Sequence, residues 1–333
     1  MNLMLPKGVY PPVPPPTPWI GDVLPAATWT VRPDLPSANP TVAQHCGLDR
    51  AEGVVVLMVD GLGTAPLERR LGYAPTLRNI GTRPTVAQTC CPSTTAAALT
   101  SFATGALPGQ TSMVGYAVRR GDNVMTLLNF APDVEVTKWQ VVPTQFESLA
   151  ARGCPVALIT HPRFADSGLT EAAFRGAHFV GRESLEQRFD ASLRLFAEGG
   201  PRFQVVYWSD IDHVGHHLGP SSQEWSAALE DFDQALGAYL SRLPKDVSVI
   251  LTADHGMVDV EERIDLATTP ALARNVEMIA GEGRAVHLHA RPGHAKEVLD
   301  TWEEVLAGRA WVVRRDELPE LIGQGPGVDL VGD

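Results

Sequence analysis

Cysteine is scarce: there are four in 333 residues (Cys46, Cys90, Cys91 and Cys154), two of them adjacent. That pattern excludes the disulfide framework of a small secreted domain and points to a reducing cytoplasm as the compartment. Long apolar runs are also missing, and no stretch approaches the ~20 apolar residues of a membrane span. Residues 1–15 carry one Lys and repeated prolines where a secretory signal would have an apolar segment. Basic blocks are absent too, with 27 Lys and Arg against 39 Asp and Glu and a formal charge of −12. Such a balance argues against a nucleic-acid polymer or an anionic membrane as partner. A small phosphate ester stays open, because bound divalent ions can dominate the field of a site.

What the chain does have is apolar content, 44%, enough for a large core, and it gathers in short runs that end in acids. Gly53-Val-Val-Val-Leu-Met-Val-Asp60-Gly-Leu-Gly63 reads as a buried strand delivering a carboxylate at its C-terminal edge. Phe203 to Ser209 leads into Asp210-Ile-Asp212-His213-Val-Gly-His216-His217, and Val247 to Ala253 leads into Asp254-His255-Gly256. The carboxyl edge of an open α/β sheet is where sites on such folds form. Asp60, Asp212, His216, Asp254 and His255 make an O/N ligand set suited to zinc or manganese.

A fourth stretch is Cys91-Pro-Ser-Thr-Thr95 running into Ala/Leu-rich sequence up to Thr104-Gly105. The segment predicts a helix with Thr95 in its first turn, where free N–H groups and the dipole favour an anion. On those residues alone Thr95 is either a helix cap or a reactive hydroxyl.

In that order these pieces resemble the alkaline phosphatase superfamily, most closely its nucleotide pyrophosphatase/phosphodiesterase (type I phosphodiesterase) branch. That branch has an Asp after the first strand, a nucleophilic Thr followed nine and ten residues later by Thr-Gly, then Asp-x-x-Gly-His, then Asp-His-Gly. Here these are Asp60, Thr95 with Thr104-Gly105, Asp212 with Gly215-His216, and Asp254-His255-Gly256, so the likeness covers roughly residues 50–260. It implies a hydrolase of phosphate esters, foremost a phosphodiesterase acting on a small or nucleotide-like ester through a phosphothreonine at Thr95. It implies two divalent ions, one held by Asp60, Asp254 and His255 in contact with Thr95, the other by Asp212 and His216.

The chain departs from the branch at three points. Thr111-Ser112 stand where a His-Gly is usual, and Tyr116 stands where an Asn holds a phosphate oxygen, which makes Tyr116 the substrate-binding candidate. The His completing the second metal in a C-terminal Gly-x-His-Gly motif has no counterpart; His287 and His289 are candidates, set against the reading of strand histidines that face solvent. Cys90-Cys91-Pro-Ser93 echoes a sulfatase start, but the nine-residue spacing to Thr-Gly selects Thr95 and the sulfatase Arg is replaced by Thr94. A phosphomonoesterase, a phosphonate hydrolase and a noncatalytic binding homologue are the other readings.

Alternating strands and helices predict an α/β fold, an α/β/α sandwich with a mainly parallel central sheet of the alkaline phosphatase-like kind. Residues 1–45, with Pro11 to Pro18, read as an extended arm. Residues 46–333 read as the catalytic domain, incomplete at its C-terminal end because Asp329 to Val331 looks like the start of an element. Ala65 to Ile80 has helical spacing. Ser221 and Glu224 form a capping box for a helix running to Leu243, Ala295 to Leu306 predicts a helix, and Trp311 to Val313 a strand. His161 and Arg163 either line a pocket or belong to an ordinary loop. Asp210 is expected as a hydrogen-bonded neighbour of the site, and His213 and His217 as surface or supporting residues.

Overall fold

The computed structural model describes residues 18–80 and 85–332. Its strands are β1 (Gly53–Val59), β2 (Ala117–Arg120), β3 (Asn123–Thr126), β4 (Val156–Thr160), β5 (His178–Gly181), β6 (Phe203–Trp208), β7 (Val247–Thr252), β8 (Val276–Glu282) and β9 (Ala285–Ala290). Five form one parallel sheet in the order β5-β4-β6-β1-β7, and the others make two antiparallel hairpins, β2-β3 and β8-β9.

The unbroken apolar run of β1 follows from burial on both faces. Val54, Val56 and Met58 enter one core with the helices Val23–Val31 and Thr95–Thr104, while Val55, Leu57 and Val59 enter a second core with the helices Leu185–Ala197 and Gln223–Arg242. Each such side chain contributes about 1.5–3 kcal/mol by leaving water. Helices on both faces of a parallel sheet make the expected α/β/α sandwich. A smaller cluster of Leu272, Ala290, Val298, Trp302 and Leu306 packs the helix Ala295–Val305 beneath the β8-β9 hairpin. No helix among the described residues is long and apolar enough to cross a membrane.

Several local expectations are corrected. Residues 20–45 are not an extended arm: they form the helices Val23–Val31 and Pro40–His45, and Leu24 and Ala27 sit in the main core; Pro11 to Thr17 lie outside the described residues. The long helix begins one residue later than expected, with Ser222 as the cap accepting from the Trp225 amide, because Ser221 bonds Asp259 instead. Ala65 to Ile80 is two short helices, Thr64–Arg70 and Pro75–Asn79, split at Leu71–Tyr73. Trp311 to Val313 is not a strand. Asp329 lies in a 3-10 turn, Pro326–Leu330, whose Val328 is buried.

The Pro75–Asn79 helix has no cap of its own, so Asp233 of the long helix supplies one. Its buried carboxylate accepts from the Thr76 amide at 2.8 Å and the Leu77 amide at 2.9 Å. Asp233→Ala is expected to cost about 2 kcal/mol by stranding both amides. A denaturant midpoint unchanged from the parent would refute that role.

Candidate metal and phosphoryl-transfer site

Three strand ends of the sheet supply the site. Asp60 follows β1 directly and is 2% exposed. Gly61 turns the chain with φ +71°, and a Cβ there would lie 3.0 Å from Asp212 Oδ1, so glycine both permits the turn and admits the second carboxylate. Gly63 likewise meets Gly256, where a Cβ would be 2.5 Å from the partner Cα. After β6 the chain enters the helix Asp210–Leu218 at once. Asp212 is therefore in a first helical turn with His216 one turn later, and Asp210 is exposed and shares no strand face with Asp212. His216 Nε2 lies 3.3 Å from Asp212 Oδ1. His213 and His217 are exposed and pack against each other, rings 4.5 Å apart and tilted by 50°.

Asp254 and His255 follow β7. The Asp254 carboxylate is wholly buried, and its Oδ1 accepts from the Gly61 amide at 3.2 Å and the His255 amide at 3.0 Å. His255 Nδ1 stands 3.0 Å from the Gly256 carbonyl. A carbonyl only accepts, so Nδ1 carries the ring proton and Nε2 is left as the ligand atom. Nε2 faces Asp60 Oδ1 at 3.3 Å, Asp254 Oδ2 at 3.5 Å, Asp212 Oδ1 at 4.0 Å and Thr95 Oγ1 at 3.2 Å.

Those three carboxylate oxygens are buried and have no hydrogen-bond partner. Buried anions around a nitrogen lone pair need a cation, and one atom each from Asp60, Asp212 and His255 lies within 4.8 Å of the others. The residues present fit a divalent ion. Burial first, then the charges of Asp254 and Asp212, pushes the Asp60 carboxyl well above its ordinary range. Tyr207, on β6, donates its phenol to Asp60 Oδ2 and leaves Oδ1 facing the cluster. Sequence reasoning missed Tyr207, since an aromatic inside a strand reads as packing.

Thr95 opens the helix Thr95–Thr104 as its first residue; Thr94 is the N-cap, and its side chain makes no capping bond. The capping reading of Thr95 therefore falls. Tyr116 lines the groove over the site, 41% exposed. The histidines of β9 are the reverse of the expectation: His287 and His289 are buried at 3% and 6% and Val286 faces out. His287 packs on the backbone of Gly115, and burial, with His289 beside it, pushes its pKa down to about 4. Neither belongs to the cluster of Asp60, Asp212 and His255. Cys91, the sulfatase-like position, has its thiol pushed up to about 11 by burial.

The family model for type I phosphodiesterase / nucleotide pyrophosphatase matches residues 54–325. The chain belongs to that family. Human ectonucleotide pyrophosphatase/phosphodiesterase family member 5 is 34% identical over 85 residues, 24% of this chain and 18% of the relative. A phosphopentomutase of Psychromonas ingrahamii is 31% identical over 118 residues, 34% of this chain and 26% of the relative. The chain thus spans about a fifth to a quarter of these curated relatives. Among solved structures, murine ectonucleotide pyrophosphatase/phosphodiesterase 5, in an inactive form in complex with AMP, aligns with TM-score 0.65 at 20% identity over 84% of this chain and 76% of that one. Phosphonoacetate hydrolase from Sinorhizobium meliloti aligns with TM-score 0.66 at 18% identity over 84% and 79%. These likenesses carry the alkaline phosphatase-like fold.

Two outcomes test the cluster. With Asp60 raised, the metal-free folded chain keeps a proton that the unfolded chain has released above about pH 4, so its stability falls as pH climbs toward the raised value. Chelation should therefore lower Tm more at pH 8 than at pH 5, and an equal drop in calorimetry would contradict the assignment. Tyr207→Phe should weaken zinc binding about 10- to 100-fold with the fold retained; an unchanged isotherm would show that the phenol does not matter to the site.

Proposed function

We propose that this chain is a metal-dependent phosphodiesterase of the nucleotide pyrophosphatase type, with Thr95 as nucleophile. The observation that carries the reading is Thr95 Oγ1 at 3.2 Å from His255 Nε2, on the rim of a cluster of unpartnered carboxylate oxygens and at the N-terminus of a ten-residue helix.

Asp60, Asp254 and His255 would hold one divalent ion, with Asp212 and His216 beside a second, zinc in the first instance and manganese as the alternative. When bound, these ions supply the charge that ionises the Thr95 hydroxyl and neutralises the phosphoryl oxygens. The chain's own residues do the rest. Amides at the start of the Thr95–Thr104 helix donate to a nonbridging phosphoryl oxygen. Thr95 Oγ attacks phosphorus in line, the bond to the leaving alkoxide breaks, and water then hydrolyses the phosphothreonine. His255 is held by its Nδ1 bond so that Nε2 stays toward Thr95, and Tyr116 offers a phenol at the groove's lip.

The substrate in this reading is a small phosphate ester, nucleotide-like in keeping with the family, and the catalytic domain spans residues 46–333 with the preceding helices packed on it. Four free cysteines suit a reducing cytoplasm. A phosphonate or sulfate ester on the same site is the competing chemistry, and substrate comparison separates them.

Zinc-loaded protein should release nitrophenol from bis-nitrophenyl phosphate faster than from nitrophenyl phosphate or nitrophenyl sulfate. Thr95→Ala should lower that rate at least 1000-fold while leaving Tm within a few degrees. Turnover that survives in Thr95→Ala would sink the nucleophile assignment.

A further inference from the structure

Behind Tyr207 a line of ring contacts leads away from the metal cluster to a cation. Tyr207 holds Asp60, Phe164 packs edge-on against Tyr207 with ring centroids 6.0 Å apart, and the Arg163 guanidinium lies 4.7 Å over the Phe164 ring. His161 joins the platform, its ring edge-on to Phe164 at 6.1 Å and its Nδ1 accepting from the Arg163 amide at 3.0 Å. All of this sits on the 3-10 turn Pro162–Phe164 directly after β4, at the same carboxyl edge of the sheet as Asp60. Arg163 and Phe164 line the groove that also contains Thr95, Tyr207 and Tyr116.

Arg163 is exposed, and among the described residues it forms no ion pair. A guanidinium without an ion pair at the carboxyl edge of the sheet, in the groove that also contains Thr95, is suited to an anion. The contact with the Phe164 ring holds the guanidinium through its face and leaves its N–H groups available. The Arg188 guanidinium, 2% exposed, lies nearby and gives its donors to the carbonyls of Arg182, Glu183 and Tyr207, while Asp210 and Glu183 are the acids of the same neighbourhood.

Resting on the phosphoester-hydrolase reading, we infer that Arg163, set on the Phe164 ring, is the specificity-determining residue for substrates that carry a second anionic group beyond the phosphorus attacked by Thr95. The metal cluster takes the reacting phosphoryl group and Arg163 takes the other anion, a distal phosphate or a carboxylate. Phe164 orients the guanidinium and does no chemistry.

The test measures binding and turnover separately on the zinc-loaded chain. A nucleoside 5′-diphosphate, the corresponding monophosphate and phosphonoacetate are titrated by calorimetry into the parent, Arg163→Met and Arg163→Lys. Arg163→Met should lose affinity for a doubly anionic ligand on the order of 10- to 100-fold, keep the monophosphate within about 3-fold, and keep turnover of bis-nitrophenyl phosphate, which has no second anion. Arg163→Lys should recover part of the loss. A larger loss for the diphosphate identifies a phosphate as the second group, and a larger loss for phosphonoacetate a carboxylate. Equal losses for the monophosphate and the doubly anionic ligands, or no loss at all, overturn the assignment even if the diester is hydrolysed. A selective loss in a chain that hydrolyses no ester would uphold the anion site and remove the hydrolase reading instead.

Discussion

Everything at this site depends on one unfavourable arrangement: three buried carboxylate oxygens, from Asp60, Asp212 and Asp254, gathered around His255 Nε2, with that of Asp212 also 3.3 Å from His216 Nε2. Burial and the neighbouring charges of Asp254 and Asp212 oppose ionisation here and push the Asp60 carboxyl well above its ordinary range. The chain offsets part of this with local donors, the Tyr207 phenol to Asp60 and the Gly61 and His255 amides to Asp254. Each of those bonds takes one oxygen of its carboxylate and leaves the other bare. The donors thus do two things at once: they lower the cost of burial and they aim the remaining oxygens at one point. The resulting geometry fits a divalent cation.

Rigidity of the frame is what lets the arrangement persist. β1 and β6 are adjacent in register over six residues, Val54 opposite Phe203 through Val59 opposite Trp208, so Asp60 and the start of the Asp212 helix emerge side by side. Cores on both sheet faces clamp these strands, and the Gly63–Gly256 approach ties the loop after β1 to the loop after β7. Arg188 ties the end of β6 to the loop after β5 through the Tyr207 and Arg182 carbonyls, and its guanidinium lies 4.6 Å over the Trp208 ring. A buried guanidinium bonded only to carbonyls is stabilising chiefly because moving the strand end would strand its donors.

The strand ends were legible because burial on both faces forces an uninterrupted apolar run, and an acid after such a run has few structural reasons to be there. Asp60, Asp212 and Asp254 stand out by that contrast, with His216 and His255 following them in sequence; Thr95 comes instead from the hydroxyl-rich start of a helical segment and from the family resemblance, and its Oγ1 lies beside His255 in the structure. What stayed hidden depends on partners distant in sequence. β9 shows the right period, but period alone does not say which face is covered. His287 and His289 turn inward because His287 packs on Gly115 just ahead of β2. Ser222 displaces Ser221 as a cap only because Asp259, 38 residues on, occupies Ser221. The hairpin β2-β3 and the strand β5 are four residues per strand, too short for a periodic signal to stand out.

The start of the Thr95–Thr104 helix argues for function by a stabilisation it forgoes. Thr94 occupies the N-cap with extended backbone angles, φ −114° and ψ 149°, from which a threonine hydroxyl normally accepts an amide of the first turn. Its Oγ1 is instead buried without a partner. That omission costs about 0.5–2 kcal/mol of helix stability, and it leaves the first-turn amides without an oxygen from their own cap. The next residue, Thr95, points its hydroxyl at His255 Nε2. An uncapped helix N-terminus beside the unpartnered Thr94 hydroxyl and a cluster of unpartnered carboxylate oxygens is unfavourable in each part taken alone. On the proposed reading, an anionic phosphoryl group bound with a divalent ion would satisfy the free first-turn amides and the carboxylate oxygens together.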